Sequence, residues 1–282
     1  MSQENRQRHG RSDGELPAAA QKELEQAKWL LENPGLAARF SDLLGKPIES
    51  GLKYLPSDWS GRIGEITHAA LAKALDVAVI SLGRHGGDSQ RPLKPARAMH
   101  NALVAFSGAA GGAFGLAAVA VELPISTSLI MRGVARIARE NGEDLERIET
   151  RLACLGVLAL GGKSEHDDST DAGYWAVRGL LAKSVSDAAA HVARHGVASG
   201  GAPPLVRLLS TVAARFQVRV TQQVAAKAVP VIGAVAGGAI NLAFADHFQN
   251  MARAHFTVRR LERQFGHDTV RKAYDQPPPA SP

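Results

Sequence analysis

The chain is poor in cysteine and in aromatic residues. Cys154 is the single cysteine among 282 residues, which excludes an internal disulfide scaffold and a zinc site built on cysteines. Tryptophan, tyrosine and phenylalanine make up 5% of the chain, although hydrophobic residues make up 45%. The apolar surface is therefore mostly alanine, valine and leucine, which favours close packing of helices over stacking on flat ligands.

Motifs of common catalytic and nucleic-acid-binding families are also missing. The sequence has no Gly-x-Ser-x-Gly elbow, and Cys154 lies in an apolar stretch typical of a buried structural thiol. It has no recognisable DNA- or RNA-reading module, so we expect no nucleic-acid partner. Residues 1–14 lack the apolar core of a secretory signal. We therefore expect a cytoplasmic, non-catalytic protein; a hydrolase is the favoured kind if it is an enzyme.

Apolar residues recur at helical spacing through most of the chain, as at Leu71 and Leu75, and alternating runs typical of strands are absent. The pattern predicts an all-α, multi-helix bundle that forms a single domain over residues 18–275. The polar residues 1–17 and the proline-rich residues 276–282 carry too few apolar side chains for a core. We predict that both are disordered tails.

Two glycine- and alanine-rich segments, 102–121 and 228–245, contain no charged residue, and each is followed at once by an acid, Glu122 or Asp246. Their lengths of twenty and eighteen residues approach what a bilayer requires, although leucine and isoleucine are few. Glycines four residues apart would let another helix approach closely, so oligomerisation through these helices is an expectation. Two interpretations stay open: a buried hairpin in a soluble bundle, or insertion into or docking on a membrane.

The stretches behind these segments resemble each other at a constant shift of 124 residues. Residues 134–147 and 258–271 are identical at six positions, and the acids that follow the apolar segments keep the same shift. We interpret this as an internal duplication with half-repeats near 96–150 and 222–275. Chance similarity between two arginine-rich helices is the alternative.

Basic residues lie along the helix predicted after each apolar segment. The residues of interest are Arg132, Arg136, Arg260 and Arg263. With a net charge of +6 and an isoelectric point near 9.7, they predict contact with an anionic membrane surface or a membrane protein. These arginines either contact headgroups or pair with Glu122 and Asp246, which we predict to be buried functional acids. A solvated or salt-bridged face is the alternative.

Four histidines are weak candidates for metal ligands. His191 and His195 are four residues apart, and His247 and His255 follow Asp246. Such spacing can bind a metal and would suit a metal-assisted, peptidase-like hydrolase, but the glutamate of the HExxH motif is absent. Hydrogen bonding among polar groups is the favoured interpretation, so we predict neither a metal nor a cofactor.

Three blocks of the sequence resemble the EcsC family of bacterial proteins. They are WLLENPG at residues 29–35, the glycine-rich block at 107–145 and the block KAVPVIG to RRLER at 227–263. The family takes its name from a bacterial operon whose other products resemble an ABC transporter. The resemblance therefore implies a helical protein peripheral to the inner membrane that acts with a transport or envelope system. It supplies no catalytic residue.

Overall fold

The computed structural model describes residues 16–33, 35–44, 49–81, 119–161, 173–196, 202–228 and 234–276. Within these ranges the chain forms helices and no β-strand, which confirms the predicted all-α bundle. The helices are α1 (Ala18–Glu32), α2 (Leu36–Leu44), α3 (Glu49–Leu52), α4 (Trp59–Asp76), α5 (Val119–Glu140), α6 (Ile148–Gly156), α7 (Tyr174–His195), α8 (Pro203–Ala228), α9 (Ala234–Phe265) and α10 (His267–Asp275). A π-helical turn, Val77–Ser81, extends α4, and a 3₁₀ turn, Val157–Ala159, extends α6.

Helix α9 lies at the centre of the bundle and packs against α1, α2, α5, α8 and α10. Phe244 and Phe248 are four residues apart and therefore share one face of α9. Both are fully buried, and Phe216 of α8 packs against them with ring centroids 6.0 and 5.5 Å away. Spacing of apolar residues along α9 thus explains why this long helix forms part of the core.

Helix α5 is the second wall of the core and packs against α4 and α9. Its fully buried residues include Ile130, Met131 and Val134, spaced so that they share one stripe. On α4, Leu71 and Leu75 are both buried, as their helical spacing predicts.

The glycine-rich segments lie only partly within the described residues. Of segment 102–121, the residues 119–121 are described and form the start of α5. Of segment 228–245, residue 228 ends α8 and residues 234–245 begin α9. None of the helices in the described ranges is both long and apolar enough to cross a membrane. The predicted tails, 1–17 and 276–282, lie outside the described residues except for residues 16, 17 and 276, and so does most of the first segment.

Three contacts identify which helix ends lie together. Lys227, in the last turn of α8, pairs with Glu122 in the first turn of α5 and donates to Asn241 near the start of α9. Gly51 of α3 lies against Ala225 of α8. Helix α2 packs on both α8 and α9. We call this part of the molecule the Glu122 end of the bundle.

Candidate functional site

A buried polar cluster joins α5, α8 and α9 at the Glu122 end. The side chains of Glu122 and Lys227 are 5% and 3% exposed, and the ammonium donates to Glu122 Oε1. Lys227 Nζ also donates to Asn241 Oδ1 at 2.9 Å, and Gln223 Nε2 donates to the same oxygen at 2.6 Å. The cluster therefore links three helices that are far apart in the sequence.

Local helix geometry places each charge of this cluster where it is favoured. Glu122 lies in the first turn of α5, where the helix dipole stabilises a negative charge. Lys227 lies in the last turn of α8, where a positive charge is stabilised, and Gln223 precedes it by one turn on the same face. Burial lowers the pKa of Lys227, and the charge of Glu122 opposes that shift.

Two acceptor atoms of the cluster remain without a donor among the described residues. These are Glu122 Oε2 and Gln223 Oε1, and both are buried. A buried ion pair stabilises a fold only while both partners are present, because removal of one leaves an uncompensated charge and costs about 3–5 kcal/mol. The described groups include no activated nucleophile beside the pair. The contacts of the pair are therefore those of a structural junction between α5, α8 and α9.

Asp246, predicted to be the buried counterpart of Glu122, is half-exposed. Its side chain is 48% exposed, Arg39 of α2 donates to it at 2.5 Å, and Asn250 donates at 3.3 Å. The prediction of a buried acid is confirmed for Glu122 and wrong for Asp246. Asp246 lies on the side of α9 that meets α2 at the bundle surface, so water and Arg39 share its solvation.

Arginines of α9 bind the turn that follows α5. Arg259 donates from Nε and Nη2 to the two carboxylate oxygens of Glu143, at 2.9 Å each. Arg263 also pairs with Glu143, which is buried, and donates to the carbonyl of Asn141 at 2.5 Å. Arg260 Nε approaches Asn141 Oδ1 at 3.4 Å. Arginines of α9 therefore bind the turn at residues 141–143, which follows the end of α5.

The predicted pairing of the arginines with the two segment-closing acids is wrong. Arg260 pairs with Glu23 of α1, and Arg136 approaches Glu140 at 4.0 Å. Each of these arginines lies fourteen residues beyond the acid on its own helix, which is about 21 Å along the axis. Arg132 is exposed and has no ion-pair partner within the described ranges, so it alone of the four keeps a free charge there.

The two histidines of α7 lie at the surface, and their rings stack on each other. The rings of His191 and His195 are 4.6 Å apart at an angle of 23°, and His195 Nδ1 lies 3.2 Å from the carbonyl oxygen of His191. In the part of the chain that the structure describes, no three His, Cys, Asp or Glu side chains are grouped to hold a metal ion. The hydrolase alternative gains no support from these residues.

The two histidines of α9 are buried and separate. His247 packs against Phe248, with ring centroids 4.9 Å apart. His255 Nδ1 lies 2.9 Å from the hydroxyl of Tyr174. Burial, together with the charges of Arg178 and Arg259, lowers the pKa of His255 well below its usual value. Burial therefore favours the neutral form of His255, whose Nδ1 shares a hydrogen bond with the Tyr174 hydroxyl.

The internal duplication stays a prediction. At equivalent positions, Val134 and Val258 are both fully buried, and Gly142 and Gly266 both have positive φ, at 78° and 88°. Both glycines follow the end of a helix, where a left-handed residue is common. Arg263 binds Glu143 and the Asn141 carbonyl, whereas its counterpart Arg139 is exposed and makes no equivalent contact within the described residues.

A family model described as the EcsC protein family matches residues 20–261, which is most of the chain. The chain belongs to the EcsC family. The EcsC match contains the Glu122 cluster, the pair of Arg259 with Glu143 and both buried histidines, and it ends two residues before Arg263. No curated protein and no solved structure matches the chain.

Sequence reasoning missed three members of the EcsC protein's buried cluster, Gln223, Lys227 and Asn241. Asn241 is a lone amide within an otherwise apolar run, and Lys227 is the last charge before that run. Either feature is a signal, because a polar side chain in a buried helix needs a partner. The missing information was which helix supplies the partner.

Proposed function

We propose that this EcsC family protein is a non-catalytic helical protein that docks peripherally on the cytoplasmic face of the inner membrane. It acts there with a transport or envelope system. The observation that supports this is the distribution of exposed apolar side chains, which concentrate at the Glu122 end of the bundle.

Ten large apolar side chains are exposed among the described residues, and six of them lie at the Glu122 end. They are Leu43, Leu52, Tyr54, Val121, Ile125 and Leu242. Val121 is 68% exposed and directly precedes Glu122, and Leu242 directly follows Asn241, so both flank the buried cluster. Exposed apolar side chains gathered at one end of a protein are typical of an interaction surface.

Helix α3 contributes a short stretch suited to a membrane interface. A Cβ on Gly51 would lie 2.1 Å from the carbonyl oxygen of Ala225, so α3 is held directly on α8. The residues that follow are the exposed Leu52, Lys53 and Tyr54. An apolar residue, a lysine and a tyrosine together match the boundary between acyl chains and headgroups, where long cations and aromatic rings are favoured.

The exposed face of α5 changes from apolar to basic along its length. Val121, Ile125 and Arg132 follow helical spacing and share one face, and Arg132 lies about 10 Å beyond Ile125 along the axis. Interfacial helices bury apolar side chains about 5–10 Å into the headgroup boundary. With the Glu122 end against lipid, Arg132 would therefore reach anionic phosphate groups, in agreement with the net charge of +6.

Vesicle flotation tests this proposal directly. We expect the 282-residue chain to float with phosphatidylcholine vesicles that contain about 30 mol% phosphatidylglycerol. The double variant Val121→Asp/Ile125→Asp should remain unbound, because it places two charges in the apolar boundary. Arg132→Glu should weaken binding to the anionic vesicles about tenfold, because one headgroup contact is lost and a repulsive charge is added. It should not change binding to vesicles of phosphatidylcholine only.

Matched variants separate docking from general surface effects. Val206 is 45% exposed and lies on α8 about 30 Å from Lys227, so Val206→Asp should bind like wild type. Arg139→Glu changes an exposed arginine farther from the Glu122 end and should have a smaller effect than Arg132→Glu. Wild-type protein that stays with the soluble fraction, or equal losses in test and control variants, would contradict the proposal.

A further inference from the structure

A cleft of about 560 Å³ opens between the start of α7 and helix α10. It is lined in part by Gly173, Trp175, Arg178, Gly179, His267 and Arg271. A Cβ built on Gly173 or Gly179 would meet nothing within 4 Å, so the floor on the α7 side is open. Volumes of this order are those of small-molecule sites, about 300–1,000 Å³.

The cleft lies far from the proposed membrane-docking surface. Arg178, on its wall, pairs with Glu262 near the end of α9. Glu262 is twenty-one residues beyond Asn241 on the same helix, about 30 Å along the axis. A ligand in this cleft would therefore be separate from lipid bound at the Glu122 end.

The ionisable side chains that line the described part of the cleft are all basic. Arg178 donates to both oxygens of Glu262 at 2.8 and 2.6 Å, which neutralises and fixes its guanidinium at the back of the cleft. Arg271 forms a long ion pair with Asp275, at 3.9 Å, and its side chain is 55% exposed. Of the two guanidinium groups, that of Arg271 is therefore the more accessible to a ligand.

His267 adds a second basic group at the mouth of the cleft. Its ring nitrogens lie 3.7 Å from Glu262 and 3.3 Å from Asp268. Asp268 is 95% exposed and does not line the cleft. These acids hold His267 beside the cleft and leave the lining without a carboxylate that would repel an anion.

Hydrogen-bond donors without acceptors lie at the same place. Helix α7 has no side-chain cap and no acid in its first turn. The N–H groups of Ala176 and Val177 bond to the Gly173 carbonyl, whereas those of Tyr174 and Trp175 have no acceptor within the described ranges. A helix N-terminus of this kind favours an anion. The buried indole Nε1–H of Trp175 likewise lacks a partner there.

We propose that this cleft binds a phosphorylated small molecule. Arg271 and the N–H groups at the start of α7 contact its phosphate oxygens, because the ion pair of Arg271 is long and exposed and the N–H groups of Tyr174 and Trp175 have no acceptor in the described ranges. The guanidinium groups of Arg178 and Arg271 lie 5.2 and 5.7 Å from the ring centroid of Trp175, so a bound phosphate also changes the surroundings of the indole. The rest of the molecule occupies the space above Gly173 and Gly179.

The test follows the three indole N–H signals of ¹⁵N-tryptophan-labelled protein during titration with inorganic pyrophosphate and with ADP. Trp175→Phe assigns the Trp175 signal among the three tryptophans. We expect that signal to shift saturably while those of Trp29 and Trp59 stay in place. Tighter binding of ADP would identify a nucleotide as the ligand, and equal binding would identify recognition of the phosphate groups alone.

Two variants and two controls complete the experiment. Arg271→Gln should weaken binding about tenfold, the effect of one lost charge-assisted hydrogen bond. Gly179→Leu should abolish binding, since its side chain fills the cleft without meeting protein atoms at Cβ. Arg147→Gln and Gly64→Leu are matched controls, because Arg147 is an exposed arginine beside a nearby acid and Gly64 also has open space. A wild-type Trp175 signal that does not move at millimolar ligand would overturn the proposal. So would a Trp175 signal that moves as much in Arg271→Gln and Gly179→Leu as in wild type.

Discussion

Lys227 at the end of α8 donates to Glu122 at the start of α5, and neither side chain is more than 5% exposed. Each of these helix ends adjoins a part of a glycine-rich segment that lies outside the described residues, 102–118 or 229–233. The exposed Val121 lies beside Glu122 on α5, and the exposed Leu242 lies beside Asn241 on α9. The buried pair therefore sets the positions from which the apolar side chains of the proposed docking surface project.

A double-mutant cycle on this pair should give a large coupling free energy. Lys227→Met leaves the Glu122 carboxylate buried without its partner, and we expect the free energy of unfolding to fall by about 3–5 kcal/mol. Glu122→Gln should also be costly. The double variant Glu122→Gln/Lys227→Met should lose less than the sum of the two, because no unpaired charge remains. Urea unfolding followed by tryptophan fluorescence measures all four proteins.

The pair between Arg39 and Asp246 is the matched control for that cycle. Its side chains are 46% and 48% exposed, so solvent screens the interaction. We expect a coupling of about 0–1 kcal/mol from Arg39→Met and Asp246→Asn. Equal coupling at the buried and the exposed pair would show that burial does not set the strength of the Glu122–Lys227 contact.

The sequence predicted the helices of this protein better than it predicted their partners. Spacing alone identified Leu71 and Leu75 as core residues, and an acid directly after an uncharged run identified Glu122. Lys227 is 105 residues away from Glu122, and no periodic pattern connects two such positions. Asp246 has a similar local context but is half-exposed, because the packing of α2, which local sequence does not encode, decides its burial.

The error about the arginines has a different cause. The arginines were predicted to pair with Glu122 and Asp246 or to contact headgroups, without an assignment of which arginine meets which acid. The rise of an α-helix puts fourteen residues about 21 Å apart, which excludes pairing of Arg136 or Arg260 with the acid on its own helix. Their partners, Glu140 and Glu23, lie one turn along the same helix and on a neighbouring helix, respectively.

Close approach of α3 to α8 predicts that Gly51 tolerates no side chain. A Cβ there would lie 2.1 Å from the Ala225 carbonyl oxygen, so Gly51→Ala must push α3 away from α8. We expect the free energy of unfolding to fall by about 1–3 kcal/mol. Gly64→Ala in α4, where a Cβ meets nothing, should instead raise it by about 0.5–1 kcal/mol. Thermal unfolding of both variants measures these changes. A Gly51→Ala variant as stable as wild type would contradict the close packing of α3 on α8.

Cys154 should be inert in the folded protein. The side chain is fully buried, and burial, followed by the charge of Glu143, raises the pKa of its thiol to about 12. The thiolate is the reactive form. At neutral pH, iodoacetamide should therefore modify Cys154 of the native protein only at the rate at which unfolding exposes its side chain. In urea the single cysteine should accept one label, which mass spectrometry detects. Rapid labelling without denaturant would contradict the buried position.

His255 should make the protein less stable in mild acid. Burial and the charges of Arg178 and Arg259 lower its pKa in the folded state well below 6.5, whereas the unfolded chain restores the ordinary value. The unfolded state therefore binds one more proton as the pH falls below 6.5, and the free energy of unfolding should drop by up to about 1.4 kcal/mol per pH unit. Above that pH the contribution is constant.

His255→Gln, whose amide can still bond to the Tyr174 hydroxyl, should flatten this slope between pH 6.5 and 5.5 in urea unfolding. His68→Gln changes an exposed histidine of α4 and should keep the wild-type slope. Parallel slopes for wild type and His255→Gln would mean that His255 already carries its proton in the folded state.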